Sequence, residues 1–282
     1  MTVLVPESLE EALDVLARTP DATVLAGGTD AMVEVNFGHR HPRSVVSISR
    51  IAALKGWHHD VVESNVRIGA GVTYTELMEQ PLATLLPALA EAARTVGSPQ
   101  IRNAGTIGGN LVTCSPAGDA LPVLSALDAT IELASAAGQR QLSIHDFMVG
   151  VKRTALEPGE IVVAATVPVL AGGQCYAKVG VRNAMVISTA SAAIVTDPEA
   201  RFVNIALGAV GPTIIRARDA ESWIADRVDW NGAPVADEVA REFGERVAAE
   251  ARPIDDHRST AAYRRHAVSV LARRLLVRAL RP

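Results

Sequence analysis

Gly97-Ser-Pro-Gln-Ile-Arg-Asn-Ala-Gly-Thr-Ile-Gly-Gly-Asn-Leu-Val-Thr-Cys-Ser-Pro-Ala-Gly-Asp119 is the stretch that decides how this chain folds. At its centre Gly108-Gly109 sits between Thr106 and Asn110, within a segment that reads as a long glycine-rich loop. Glycine has no Cβ and reaches positive φ at little cost, so successive backbone N–H groups in such a turn can converge on an anion. The Thr106 hydroxyl and the Asn110 amide add side-chain donors. Far upstream, Leu25-Ala-Gly-Gly-Thr-Asp30 has the same texture, with a Gly-Gly pair flanked by Thr29 and Asp30. Either turn alone is weak evidence for a ligand. Two turns of one kind suit a diphosphate held from both sides. The chain has neither the G-x-x-x-x-G-K-[ST] phosphate loop nor a strand-borne G-x-G-x-x-G, so the usual ATP cradle and the Rossmann turn are not available.

Working outward, Ser8-Leu-Glu-Glu11 forms a capping box, and Leu9, Ala12, Leu13 and Leu16 recur on one helical face. Thr23-Val-Leu-Ala26 reads as a buried strand that runs into the first glycine turn; residues 31–37 begin a helix and residues 44–48 form another strand. A small β/α unit therefore ends near residue 55. Beyond residue 61 come strand-like segments at 66–70 and 129–133, a helical stretch at 85–96, and a strand at 161–167 after Pro158-Gly159. This arrangement is α+β rather than regular βαβ. Ala171-Gly-Gly-Gln174, following Pro168, marks a domain boundary. After it, strands at 176–181, 187–195 and 202–210 precede the closing helices. The last helix carries an apolar stripe of Tyr263, Ala267, Val270, Leu271 and Leu275, and Arg264, Arg265, Arg273, Arg274 and Arg278 form an exposed basic face. The expected division is a domain of residues 1–170, with subdomains of about 1–55 and 56–170, followed by a domain of residues 175–282.

Composition narrows the function. With 49% apolar and 21% charged residues in 282, the chain is that of a folded protein with room for two or three cores. Its formal net charge of −4 gives no general reason to bind nucleic acid, whose non-specific affinity comes from Lys and Arg on phosphates. No apolar run approaches the roughly 20 residues that span a bilayer, and the N-terminus lacks the features of a secretory signal, so a cytoplasmic location is expected. Two cysteines, Cys114 and Cys175, cannot supply the thiolates of an ordinary iron–sulfur cluster or an all-cysteine zinc site. Any metal electron carrier belongs to another chain, and both cysteines are expected as free thiols without chemistry.

The sequence resembles the FAD-binding medium subunits of the xanthine dehydrogenase and carbon monoxide dehydrogenase group of molybdenum hydroxylases. The resemblance runs nearly end to end. It is carried by the stretch quoted first and by Ala26-Gly-Gly-Thr-Asp30, Pro158-Gly-Glu-Ile161, Tyr176-Ala-Lys-Val-Gly-Val-Arg182, Ala206-Leu-Gly-Ala-Val-Gly-Pro-Thr213 and Asp255-Asp-His-Arg-Ser-Thr-Ala-Ala-Tyr-Arg264. It implies a FAD-binding domain of the vanillyl-alcohol-oxidase type, built of two α+β subdomains, followed by a smaller α+β domain like that of carbon monoxide dehydrogenase flavoproteins. It further implies that Leu25, Ala26, Gly27, Gly28, Thr29 and Asp30, with Thr106, Ile107, Gly108, Gly109 and Asn110, embrace the FAD diphosphate. Asp119 matches a position that hydrogen-bonds the cofactor, and Val162 and Lys178 match positions on the flavin side.

Each of these has a plainer rival in the residues themselves. Asp119 can cap the helix begun by Ala120-Leu-Pro, Lys178 can be a surface strand residue, Val162 can be core, and Arg102 and Asn103 can brace the loop. In function, the resemblance implies an electron relay. A molybdopterin cofactor on a large subunit hydroxylates the substrate, two [2Fe-2S] clusters on a small subunit carry electrons, and FAD on this chain passes them to an external acceptor, the whole being a dimer of heterotrimers. A self-sufficient flavoenzyme of the same fold is the alternative, and it requires a proton-transfer residue beside the flavin for which the sequence offers no evident candidate.

Overall fold

Short apolar runs alternate with helices over the first fifty residues, and in the computed structural model, which describes residues 1–281, they form the expected β/α unit. It comprises β1 (Thr2–Leu4), α1 (Leu9–Arg18), β2 (Thr23–Leu25), α2 (Ala31–Asn36) and β3 (Ser44–Ser47), with the strands parallel in the order β1-β3-β2. The start of α1 follows from its first residues: the Ser8 hydroxyl accepts the Glu11 N–H at 3.1 Å, and the Glu11 carboxylate reaches back to the Glu7 N–H at 2.9 Å. Ala12 and Leu16 then face inward with Val46, Ile51 and Leu54, and this small core continues into Ala134, Ile161 and Val163 of the next unit.

The second unit holds β4 (Trp57–Asp60), β5 (Asn65–Gly69), α3 (Leu82–Leu85), α4 (Pro87–Thr95), α5 (Pro99–Ala104), α6 (Ile107–Thr113), α7 (Ala120–Ala126), β6 (Thr130–Ser135), β7 (Gly138–Ser143), α8 (Ile144–Phe147), β8 (Met148–Gly150), β9 (Arg153–Thr154) and β10 (Ile161–Pro168). Its sheet is antiparallel, in the order β4-β5-β10-β6-β7, with β8 and β9 forming a separate hairpin. β10 is buried on both faces: Ile161 and Val163 point to the first unit, while Val162, Ala165 and Val167 join the core under α4, α6 and α7. A bulge between Val162 and Ala164 re-aims the strand at this point. One expectation is corrected. The glycine-rich stretch is not one long loop but folds largely into α5 and α6, because it contains two N-caps: Ser98, which accepts the Ile101 N–H ahead of Pro99 at the first turn, and Thr106, whose hydroxyl accepts the Gly109 N–H at 3.0 Å.

Residues 169–173 lead into β11 (Gln174–Val179), β12 (Ala190–Asp197), β13 (Phe202–Gly208) and β14 (Ile215–Arg216), an antiparallel sheet in sequence order, followed by α9 (Arg218–Ala225), α10 (Asp237–Glu250) and α11 (Ala261–Ala279). The two-residue period of a strand divides this sheet's side chains cleanly. Cys175, Ala192, Ile194, Val203, Ile205 and Leu207 face α9–α11, whereas Tyr176, Ala193, Val195 and Ala206 enter the core of the second unit. The C-terminal sheet is thus packed against α4 and α7. On α11 the inward stripe is Ala267, Val268, Leu271, Ala272, Leu275 and Leu276; Tyr263, placed on it by the sequence, is 49% exposed. Arg264 also departs from the expected basic face. It is 2% exposed, and its guanidinium is compensated by Asp256 at 2.6 Å and by the Thr189 and Ala209 carbonyls at 2.8 Å. Arg265, Arg273, Arg274 and Arg278 are exposed as expected.

Candidate functional site

β2 ends at Leu25, and the chain turns through Gly27 and Gly28, the latter at φ +70°. α5 ends at Ala104 and passes through Gly105 and Thr106 into α6. These two turns meet backbone to backbone. A Cβ at Gly27 would lie 1.6 Å from the Ala104 carbonyl oxygen and 3.1 Å from the Gly105 nitrogen, so no side chain can stand there. Together they line a cavity of about 600 Å³ whose wall includes Ala26, Gly27, Gly28, Thr29 and Asp30, then Thr106, Gly108, Gly109 and Asn110, and also Asp119 and Val162. Among the residues singled out in the sequence, Leu25, Ile107 and Lys178 are not on this wall. Leu25 is half-buried in β2, Ile107 is in the core beneath α6, and Lys178 stands behind Asp119.

The turns differ in what they offer. The N–H groups of Gly27, Gly28, Thr29, Asp30 and Ala31 find no acceptor among the described residues, and the Asp30 side chain does not cap α2. Five successive residues that line the cavity thus carry N–H groups without protein acceptors, which suits an anion nest. In the second turn every corresponding donor is already engaged: Ile107 N–H with Val72 O at 2.9 Å, Gly108 N–H with Ala70 O at 2.9 Å, Gly109 N–H with the Thr106 hydroxyl, and Asn110 N–H with Thr106 O at 3.0 Å. The convergence of amides expected from the sequence holds only for the first turn. What the second supplies is bareness and a side chain. A Cβ at Gly109 would meet only the Thr106 hydroxyl within 4 Å, so the wall there is open, and the buried Asn110 Oδ1 lacks a hydrogen-bond partner among the described residues.

Asp119 precedes α7 but makes no side-chain cap bond, which removes the plainer of its two readings. Its carboxylate instead collects tertiary donors: the Tyr176 hydroxyl at 2.8 Å and Ser188 hydroxyl at 2.6 Å on Oδ1, the Lys178 ammonium at 2.6 Å and the Thr95 hydroxyl at 3.5 Å on Oδ2. Lys178 also donates to the Thr95 and Val186 carbonyls at 3.0 and 3.1 Å. It is not a surface residue; it and Asp119 compensate one another in the interior. Burial, reinforced by the Asp119 charge, holds the Tyr176 and Tyr74 phenols far above their usual range, so both remain protonated. Val162 is at once core and wall. Arg102 braces the loop through the Val96 and Gly97 carbonyls, both at 3.0 Å, and Asn103 accepts the Thr75 hydroxyl at 2.6 Å.

Two parts of the wall were not anticipated. Met185, Val186 and Ile187 line it from the β11–β12 connection, where Met185 has φ +50° and the Arg182 guanidinium holds the carbonyls of Ala184 and Met185. Lys152 and Glu34 meet across it at 2.8 Å. The uncharged run after Asn183 was a signal for the first; the second joins residues 118 apart and has no local signature.

A narrow anion nest facing a bare glycine surface, with an unsatisfied buried amide oxygen and an apolar wall, fits the diphosphate, hydroxyls and ring of a flavin dinucleotide. Residues 1–170 match the FAD binding domain in molybdopterin dehydrogenase, and residues 175–279 match the CO dehydrogenase flavoprotein C-terminal domain. The chain belongs to the FAD-binding medium subunits of the molybdopterin dehydrogenases. It is similar to the xanthine dehydrogenase FAD-binding subunit of Escherichia coli O157:H7, with 30% identity over 97% of this chain and 94% of that one. Similarity to the glyceraldehyde dehydrogenase medium chain of Sulfolobus acidocaldarius is 32% over 94% and 93%. Among solved structures, carbon monoxide dehydrogenase from Hydrogenophaga pseudoflava superposes with a TM-score of 0.90 at 30% identity, over all of this chain and 98% of that one. As a medium subunit, the chain is the flavoprotein part of a molybdenum-dependent oxidoreductase, with an α+β FAD-binding domain followed by a smaller α+β domain. Among the described residues no helix is long and apolar enough to cross a membrane.

Proposed function

We propose that this chain relays electrons through FAD, from [2Fe-2S] clusters on a small partner subunit to an external acceptor, while a large molybdopterin-binding subunit performs the hydroxylation. The complex is a cytoplasmic dimer of heterotrimers, and the chain divides into functional bodies of residues 1–170 and 175–282. The observation that carries this reading is the meeting of two sequence-distant glycine turns on one cavity, with five amides lacking protein acceptors on one side.

In this reading bound FAD supplies the electron-carrying chemistry, and the protein binds it, orients it and shields it. The amides from Gly27 to Ala31 hold the diphosphate. Gly108 and Gly109 let it lie close to α6, and Asn110 Oδ1 accepts a hydrogen bond from a cofactor hydroxyl. Val162 provides an apolar surface on the flavin side. Asp119 is held in one orientation by Lys178, Tyr176 and Ser188, so Lys178 acts through Asp119 rather than by touching the cofactor.

Purification of the complex tests the reading. FAD should accompany this chain in one-to-one amount, iron and molybdenum should follow the partner chains, and a folded complex with no flavin absorbance would contradict it.

A further inference from the structure

A diphosphate brings a double negative charge into a wall that already carries Asp30, Glu34, Asp119 and Glu160. Amide dipoles contribute only partial charges, so a full cation is needed among those carboxylates. Two nearby cations are already committed and stand off this wall. Lys178 meets Asp119 and two carbonyls, and Arg140 holds Glu160 through Nε and Nη2, the latter also meeting the Ala155 carbonyl. Arg40 reaches the wall from an exposed position, and its guanidinium makes no hydrogen bond among the described residues that would fix it.

Lys152 is different. It occupies the two-residue turn between β8 and β9, with its backbone N–H bonded to the carbonyl of Cys114, the residue that ends α6, at 3.1 Å. Its φ of +52° is one that glycine or asparagine adopts freely and lysine only at a cost. Strain of this kind persists where the surrounding structure over-determines the backbone, here the tight β8–β9 turn and its bond to Cys114. The ammonium makes a single bond, to Glu34 Oε1 at 2.8 Å, and Glu34 lies on α2 immediately after the first glycine turn. Its other two N–H donors have no protein acceptor among the described residues, and the half-exposed side chain borders the cavity. The Glu34 bond, with Asp30 adding to it, keeps the ammonium charged, against the smaller effect of burial.

We propose that Lys152 is the counterion of the cofactor diphosphate, an ammonium held ready on Glu34 that places a free N–H on a phosphate oxygen when FAD binds. This rests on the reading of the cavity as the FAD site. It differs from a simple clasp between α2 and the β8–β9 turn, because a clasp is weakened equally by loss of either partner, whereas a counterion is weakened only by loss of the cation.

The test is a fluorescence-quenching titration of FAD into the deflavinated full chain for wild type, Lys152→Met, Lys152→Arg and Glu34→Gln. Lys152→Met should raise the FAD Kd roughly fivefold to tenfold, and Lys152→Arg should recover most of that loss. Glu34→Gln, which removes a negative charge near the phosphates, should leave Kd unchanged or lower it. Equal weakening by Lys152→Met and Glu34→Gln would overturn the proposal in favour of a clasp, and a Lys152→Met value within twofold of wild type would overturn it outright. If the wild-type chain itself takes up no FAD, the reading of the cavity fails and the counterion falls with it.

Discussion

The two glycine turns look alike as text and differ as structure. Gly27-Gly28 leaves five N–H groups without acceptors, while Gly108-Gly109 sits in the first turn of a helix whose donors are all engaged. The difference comes from their neighbours. The carbonyls of Ala70 and Val72 run alongside the second turn and take its amides, and the Thr106 hydroxyl takes another. Nothing plays that part for the first turn. One pair of glycines therefore serves by presenting donors, and the other by absence of bulk: Gly108 lets α6 press onto Ala70, where a Cβ would come within 2.6 Å, and Gly109 leaves the wall open.

The largest way to break this comparison is Gly27→Val. Its Cβ would fall inside the Ala104 carbonyl, so the turns would have to part, with an expected loss of about 3 kcal/mol or more in stability and of the cofactor too, seen by denaturant unfolding and flavin content. A stable, fully flavinated variant would show that the turns need not touch. Lys178→Met serves as a control beneath the same wall but outside both turns. It strands the buried Asp119 charge and should cost about 3 kcal/mol while leaving both turns intact, read by the same unfolding curves. Gly109→Leu separates bulk from stability. Since its Cβ would meet only the Thr106 hydroxyl, stability should change by no more than about 1 kcal/mol, yet FAD should be expelled while hydroxylation with an artificial acceptor stays measurable. Retained stoichiometric FAD would mean that the second turn does not border the cofactor. The smallest effect is expected from Asn110→Ala. The chain without flavin should lose almost nothing, because Oδ1 has no partner to lose, whereas the FAD Kd should rise about fivefold, near the worth of one hydrogen bond, by titration.

What could be read in advance follows the range over which each feature is determined. The first Gly-Gly turn and the N-terminal capping box are local and stand where the sequence puts them, and the expected strands lie within about three residues of their places, β12 beginning at Ala190 rather than at 187. The two helices in the glycine-rich stretch were also locally marked, by Ser98-Pro99 and by Thr106, but the glycines masked those caps. Features that depend on distant partners were not legible. Lys178 looks like a surface residue until Asp119, 59 positions away, comes beside it, and Asp119 looks like a helix cap until Tyr176, Ser188 and Lys178 claim its oxygens. Arg264 belongs to a basic helix face until Asp256 and two carbonyls from other strands and turns enclose it. The same holds in part for the free and engaged amides: Thr106 takes two donors of its own motif, but the acceptors for Ile107 and Gly108 lie on Val72 and Ala70, outside either glycine motif.

Amide hydrogen exchange, measured on the full chain with and without FAD, tests the central comparison most directly. Slowed exchange on FAD binding at residues 27–31, with little change at 107–110 because those amides are bonded already, is the predicted result. Unchanged exchange at 27–31 in a chain that demonstrably holds FAD would contradict it, since the diphosphate would then lie on some other surface.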